Sequence, residues 1–167
     1  MLELEVTTAE GTVKLQFEHS LRSLSKWESE HKKAFLHGMR GPTEMLDYYR
    51  CMLLNGSDPD LIYGLEPKQL DRLSEYINED QTASSVPQEE TKSQFNPEIT
   101  TSELIYFWMT ALKINWEAQD WHLSRLMMLV QITSYKQQPP KKRNPKQVMS
   151  DWRQENERRK KLFNTSG

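Results

Sequence analysis

The sequence predicts a mainly α-helical fold that begins with a β-hairpin and ends in a charged, partly disordered segment. Three observations carry this prediction. Apolar and polar residues alternate near the start, whereas further along the apolar residues recur three and four positions apart. Glycine is scarce, with six residues in 167, which disfavours glycine-rich β architectures. Lysine and arginine are concentrated near the end of the chain.

The N-terminal hairpin is predicted from two alternating stretches, residues 2–6 and 13–17, which flank a glycine-containing turn. Because an isolated hairpin is marginally stable in water, its apolar side is expected to pack on helices. That side comprises Leu2, Leu4, Val6, Val13, Leu15 and Phe17.

Three helices are predicted to follow the hairpin. The first begins at Ser25, because Glu28 completes a capping box three residues later, and it stops at Gly38. The second begins at Thr43. The third begins near Pro67, since proline suits the first helical turn, where its missing N–H is not needed.

The chain divides into four predicted stretches. Residues 1–78 hold the hairpin and the first helices, and residues 98–135 hold a helical hairpin that completes the core. Between them, residues 79–97 are polar, contain proline and nearly lack aliphatic side chains, which is typical of a flexible linker or loop. Residues 136–167 form a basic C-terminal segment.

The helical hairpin carries more apolar surface than one core face needs. Its first helix begins with a capping box from Thr100 to Glu103, and its second spans about residues 117–135. Two apolar stripes run along the second helix: Leu123, Leu126, Met127 and Val130 form one, and Trp121, Met128, Leu129 and Ile132, with Arg125 among them, form the other. A surface helix buries one stripe of roughly 100°. The helix is therefore either central in the core or shared between the core and a partner.

The shared alternative defines a set of candidate partner contacts. Methionine adapts to surfaces that must repack, which favours this alternative for the second stripe. For each apolar candidate, a place in the core is the competing interpretation. The candidates are Trp108, Met109, Trp121, Arg125, Met128, Leu129, Ile132, Lys141, Lys142 and Arg143.

The sequence contains no pattern typical of a catalytic, cofactor-binding or metal site. HExxH, GxSxG, P-loop and GxGxxG motifs are absent. His31 and His37 are six residues apart, whereas the two histidines of a helical zinc site are four apart. His122 is expected at the edge of the core, and Cys51 is expected to be a buried, inert thiol. We therefore expect a protein that is not an enzyme and has no cofactor.

Charge is distributed unevenly along the chain. From Lys136 to the end there are ten Lys or Arg against three Asp or Glu, whereas the remainder has twelve against twenty-one. Such asymmetry is typical of an interaction segment. The basic segment is expected to dock on a protein, either a partner or the acidic body of a second copy; phosphate contacts with nucleic acid and a solubilising tail are alternatives. No apolar stretch approaches the ~20 residues that a membrane span needs.

Several stretches resemble the tail assembly chaperones of long-tailed bacteriophages. They are EHSLRSLSKWESEHKKAFL, LIYFWMTALKINWEAQDWHLSRLMMLVQI, PPKKR and ENERRKKLFNTSG, in this order between residues 18 and 167. The resemblance lies in the types of residues and their spacing, because the family has no catalytic motif that could be compared.

The resemblance implies a non-catalytic protein of the host cytoplasm that is absent from the mature virion. It implies binding to the long, helical tape measure protein, which such chaperones keep soluble while tail tube subunits polymerise around it. Many members occur in a short form and in a form extended by a programmed ribosomal frameshift, whose extension is thought to recruit the tail tube protein. This sequence would be the short form. The alternative function is a small nucleic-acid-binding packaging or regulatory protein that uses the basic segment.

Overall fold

The N-terminal hairpin forms where the alternating pattern predicts it. In the computed structural model, which describes residues 1–8, 11–38, 40–54, 58–85, 99–137 and 145–163, β1 (Leu2–Thr8) pairs antiparallel with β2 (Gly11–Phe17). Leu4 lies opposite Leu15, so both point to the same side of the sheet. Leu2, Leu4, Val6, Leu15 and Phe17 are buried, and Val13 packs partly against the same core. The mainly helical fold with an N-terminal hairpin is thereby confirmed.

The first helix, α1 (Leu21–His31), begins earlier than the sequence predicts. The expected N-cap, Ser25, lies inside the helix. Ser20 is the true N-cap: its hydroxyl accepts a hydrogen bond from the Ser23 backbone N–H, and the Ser23 hydroxyl accepts one from the Ser20 N–H. The predicted capping role of Glu28 is therefore wrong, because its carboxylate is used in a tertiary contact described below.

Two further helices follow close to their predicted positions. These are α2 (Pro42–Met52) and α3 (Pro67–Asn78), and each has a proline in its first turn. Tyr48 and Met52 on α2 are fully buried, as is Leu73 on α3. A short 3-10 helix, Pro59–Gly64, which the sequence analysis did not predict, lies between them and buries Ile62.

The predicted second helix of the helical hairpin is divided in two. After α4 (Ser102–Ala111), whose N-cap is Thr101 rather than Thr100, a 3-10 helix spans Trp116–Asp120 and α5 spans Leu123–Gln137. Trp121 has extended backbone angles, φ −76° and ψ 161°, which end the 3-10 helix. The next residues pair with the segment between β2 and α1: the Leu123 N–H donates to the His19 carbonyl at 2.7 Å.

One core is built from residues 1–85 and 99–137 together. Side chains from both stretches meet in it, and α1 contacts both α2 and α4. The largest fully buried side chains are Phe17, Leu15, Leu21, Leu24, Trp27, Tyr48, Met52, Ile62, Leu73, Ile105, Met109 and Leu126.

Glu28 connects three segments around this core. The side chain is buried, and its carboxylate accepts hydrogen bonds from the backbone N–H of Phe35 at 2.8 Å and of Ser102 at 2.7 Å. Ser102 is the first residue of α4, where backbone N–H groups lack partners within the helix. A carboxylate at this end of a helix is also favoured by the helix dipole.

A second unit, residues 137–167, contains α6 (Pro145–Phe163). Met149, Trp152, Leu162 and Phe163 are all more than half exposed. No helix in the described part of the chain is long and apolar enough to cross a membrane.

The predicted linker over residues 79–97 is described only as far as residue 85. In that part, the Gln81 N–H donates to the Ser124 hydroxyl at 3.1 Å, which places residue 81 beside the start of α5. The remainder of the predicted linker, up to residue 97, lies outside the described residues.

Candidate protein-binding surface

Both ring nitrogens of His122 make hydrogen bonds within the fold. It is 3% exposed and lies just before α5. Its Nε2 faces the Tyr76 carbonyl oxygen at 3.0 Å, and because a carbonyl only accepts, Nε2 must carry the proton. Nδ1 then accepts from the Ser124 backbone N–H and contacts its hydroxyl. Both ring nitrogens are therefore occupied, and His122 is fixed in place between α3 and α5.

His19 is buried beside it. The two imidazole rings pack edge to face with centroids 5.2 Å apart, and His19 Nδ1 shares a hydrogen bond with the Tyr48 hydroxyl. Burial, followed by the charges of His122 and Arg40, lowers the pKa of His19 from 6.5 to about 3. His19 is therefore neutral at physiological pH, and together the two rings form part of the packed interior.

The remaining reactive groups have similarly ordinary surroundings. Cys51 is only partly buried, not buried as expected, but desolvation still raises the pKa of its thiol to about 11, so the thiol stays protonated at neutral pH. Among the residues that the structure describes, no group of three or more His, Cys, Asp or Glu side chains could hold a metal ion.

An open groove of about 510 Å³ beside β1 and α3 is lined mainly by charged residues of both signs, including Glu3, Lys68 and Arg72.

The most distinctive surface lies on α5. Leu123, Leu126 and Val130 face the core and are buried, with Met127 packed partly against it. In the second predicted stripe, Met128 and Ile132 each lie about 160° from Val130 around the helix axis and face away from the core, whereas Leu129 lies about 60° from Leu126, at the border between the two stripes. We define the outer face of α5 as Arg125, Met128, Leu129, Ile132 and Tyr135, together with Trp121 directly before the helix.

Apolar side chains dominate this outer face. Met128, Leu129 and Ile132 are partly buried, yet they are not among the partly buried apolar residues that pack on the core in the described part of the protein. Trp121 and Tyr135 are 40% and 43% exposed. The arrangement therefore favours the shared alternative of the sequence analysis, in which one stripe of α5 serves the core and the other is available to a partner.

Trp121 and Arg125 form a pair at the start of this face. The Arg125 guanidinium lies over the Trp121 ring, 5.2 Å from its centroid, in cation–π geometry. The stacking places the indole ring next to the first turn of α5, although Trp121 itself is extended. The outer face thus begins with an exposed aromatic ring covered by a cation.

The two candidates on α4 belong to the core instead. Met109 is fully buried and cannot contact a partner in this fold, so its assignment as a contact residue is corrected. Trp108 is partly buried and packs against the core. The apolar side chain that α4 does expose is Phe107, at 63%, which the sequence analysis did not select.

The basic candidates Lys141, Lys142 and Arg143 lie outside the described residues. The described basic residues of the C-terminal unit are on α6, where Arg158 and Arg159 each lie within 4.0 Å of the Glu155 carboxylate. These ion pairs are exposed and weak, but they reduce the positive charge that α6 presents.

Compared with known protein families, with characterised proteins and with solved structures, the chain matches none. A function must therefore be argued from the surface and from the sequence.

Proposed function

We propose that this protein is a tail assembly chaperone of a long-tailed bacteriophage, which binds the tape measure protein and keeps it soluble while the tail tube assembles. The proposal is based on the outer face of α5. It presents apolar side chains at helical spacing on the side opposite the core, which suits recognition of another amphipathic helix. The resemblance of the sequence to this family supports the same reading.

The proposed role is non-catalytic. The chaperone acts in the host cytoplasm, is released before the virion is complete, and needs no cofactor. In the short form, the proposed partner is the tape measure protein; an extended form produced by frameshifting would recruit the tail tube protein. Because methionine side chains adapt to different neighbours, Met128 suits a client whose apolar sequence varies along its length.

Co-expression with the long helical protein encoded just downstream tests this function. We expect the partner to stay soluble and to be retained in a pull-down at both low and high salt, since apolar contacts are not screened by ions. Met128→Asp and Leu129→Asp should each abolish retention without unfolding the protein. Ser134→Asp is the matched control, because Ser134 is exposed on α5 but lies about 120° from Met128 around the helix axis.

Failure of the wild-type protein to retain the partner at any salt concentration would reject the chaperone function. If both Asp variants unfold while the control folds, the outer face is part of the core and the contact surface is wrong. Circular dichroism of each purified variant separates these two results.

The second candidate function is nucleic-acid binding by the basic C-terminal segment. The exposed run from Arg158 to Lys161 on α6 favours it. Binding through phosphate contacts would fall steeply with salt and would disappear when residues 136–167 are deleted. Filter binding of labelled DNA and RNA across a salt series distinguishes this function from the first.

A further inference from the structure

The outer face of α5 has the spacing of a coiled-coil seam. Trp121, Arg125, Met128, Ile132 and Tyr135 follow one another at intervals of four, three, four and three residues. This alternation keeps one line of side chains facing a second helix that runs alongside. From Arg125 to Tyr135 the seam is about 15 Å long, which is roughly three turns of a partner helix.

Arg125 is the one charged residue in this seam. Its side chain is exposed and stacks on Trp121, and no carboxylate among the described residues forms an ion pair with it. A helix that docks along the seam would remove water from the guanidinium. Covering a cation with apolar groups alone is unfavourable, whereas a facing carboxylate restores its hydrogen bonds.

A second copy of α5 cannot supply that carboxylate. Residues 121–137 contain no Asp or Glu, so pairing of two outer faces would leave both Arg125 side chains without an acidic partner. Charge complementarity therefore favours a different helix as the occupant.

We propose that the outer face of α5 binds a helix that carries apolar residues at heptad spacing and one Asp or Glu facing Arg125. This inference rests on the proposed function and specifies the chemistry of the client segment. The ion pair fixes the register of the client on α5, since a polar residue at a single seam position is a common way to select one alignment. Arginine suits this role because its planar guanidinium can bind a carboxylate through two parallel hydrogen bonds.

The test uses the full chain and two synthetic helical peptides. Both peptides have leucine at the seam positions of about three heptads, and they differ only in a single central seam residue, Glu or Lys. The wild-type protein should bind the Glu peptide about fivefold to tenfold more tightly. Arg125→Glu should reverse this preference. Lys68→Glu, the same charge change on an exposed residue of α3, should leave it unchanged.

Equal affinity for both peptides, or binding of neither, would overturn the inference. So would a dimer in light scattering that Arg125→Glu dissociates, because the occupant would then be a second copy. Far-UV circular dichroism confirms that the exposed-site variants fold.

Retention of the downstream helical protein separates the inference from the function. If Arg125→Glu retains that protein as well as Arg125→Lys does, the chaperone function stands and the ion pair is rejected. If the wild-type protein does not retain it but the peptide preference reverses as expected, the chaperone function is rejected and the acidic-helix preference stands.

Discussion

Glu28 is a buried carboxylate whose partners are both backbone N–H groups. One belongs to Phe35, just beyond α1, and the other belongs to Ser102, which lies 74 positions after Glu28 in the chain. Ser102 is completely buried and Phe35 nearly so, which excludes water as a substitute acceptor for either. The side chain thus satisfies two groups that would otherwise be unpaired in the core.

Replacement of Glu28 by alanine should destabilise the protein strongly. Each buried N–H that loses its acceptor costs about 1–3 kcal/mol, so for two such groups we expect a total loss of about 2–6 kcal/mol. Urea unfolding, followed by circular dichroism, measures it. Glu30→Ala, at an exposed position of the same helix, should change the stability by about 0.5 kcal/mol or less. Similar losses for both variants would show that the Glu28 contacts contribute little.

His19 makes the stability depend on pH. Its pKa is lowered to about 3 in the folded protein, from an ordinary value of 6.5, by burial and by the nearby His122 and Arg40 charges; Tyr48 is its uncharged hydrogen-bond partner. Between these two pH values the unfolded chain binds the proton and the folded chain does not. The free energy of unfolding should therefore be fully retained above pH 6.5 and should fall by about 1 kcal/mol per pH unit below it.

The contribution of His19 is measured by comparing the wild-type protein with His19→Gln. The glutamine side chain keeps a hydrogen-bonding group near Tyr48 but does not titrate. Urea unfolding over a pH series should show a shallower slope for the variant below pH 6.5, even if it is less stable at neutral pH. Parallel slopes for the two proteins would mean that other groups control the acid sensitivity.

At the scale of single elements, α5 has two apolar sides with different consequences. Leu126 is fully buried, whereas Leu129, three positions later and about 60° away around the helix axis, is only partly buried. These two leucines share a helix and a residue type, and only three positions separate them. They therefore form a matched pair for testing which side of α5 stabilises the fold.

Truncation of the two leucines to alanine should have unequal effects on stability. Leu126→Ala leaves a cavity in the core and should cost about 2–5 kcal/mol. Leu129 is partly buried, so Leu129→Ala removes less buried surface and should cost less, about 1–2 kcal/mol. The free energies of unfolding from urea denaturation measure both. Equal costs would place the outer face inside the core and remove the basis of the proposed docking surface.

The same helix shows the limit of prediction from sequence. The periodic pattern identifies both stripes of α5, but each is apolar, so the pattern alone does not determine which one faces the core. The division before Leu123 was missed because it depends on His19, whose carbonyl accepts the Leu123 N–H from far away in the sequence. The outward direction of Arg125 likewise follows from where the core lies.

The α1 N-cap was mispredicted for a related reason. Ser25 and Glu28 match the capping-box pattern better than Ser20 and Ser23 do, because the pattern has Glu or Gln at its fourth position; the local sequence therefore indicates the wrong start. In the fold, the Glu28 carboxylate accepts a hydrogen bond from the Ser102 N–H and is therefore not available as a helix cap. The strands and the starts of α2 and α3 were predicted more closely, because their signals, alternation and first-turn proline, are local.

At the scale of the whole molecule, the outer face of α5 and the basic C-terminal segment lie in different parts of the chain. The core and the outer face of α5 lie within residues 1–136, where acidic residues predominate, and the basic residues are concentrated in the C-terminal unit. The two candidate functions therefore rely on different parts of the chain. Deletion of the C-terminal unit and substitution of the outer face can be examined separately, and each affects only one hypothesis directly.

The core itself is assembled from two lengths of chain, residues 1–85 and 99–137, which are joined by Glu28 to Ser102 and by His19 to Leu123. In the intact protein, the two stretches belong to one chain, so their effective concentration relative to each other does not depend on the protein concentration. Cleavage of a single peptide bond between residues 86 and 98 would turn the folding of the core from a unimolecular reaction into the association of two fragments. The cleaved protein would hold together when concentrated and would come apart upon dilution, following mass action.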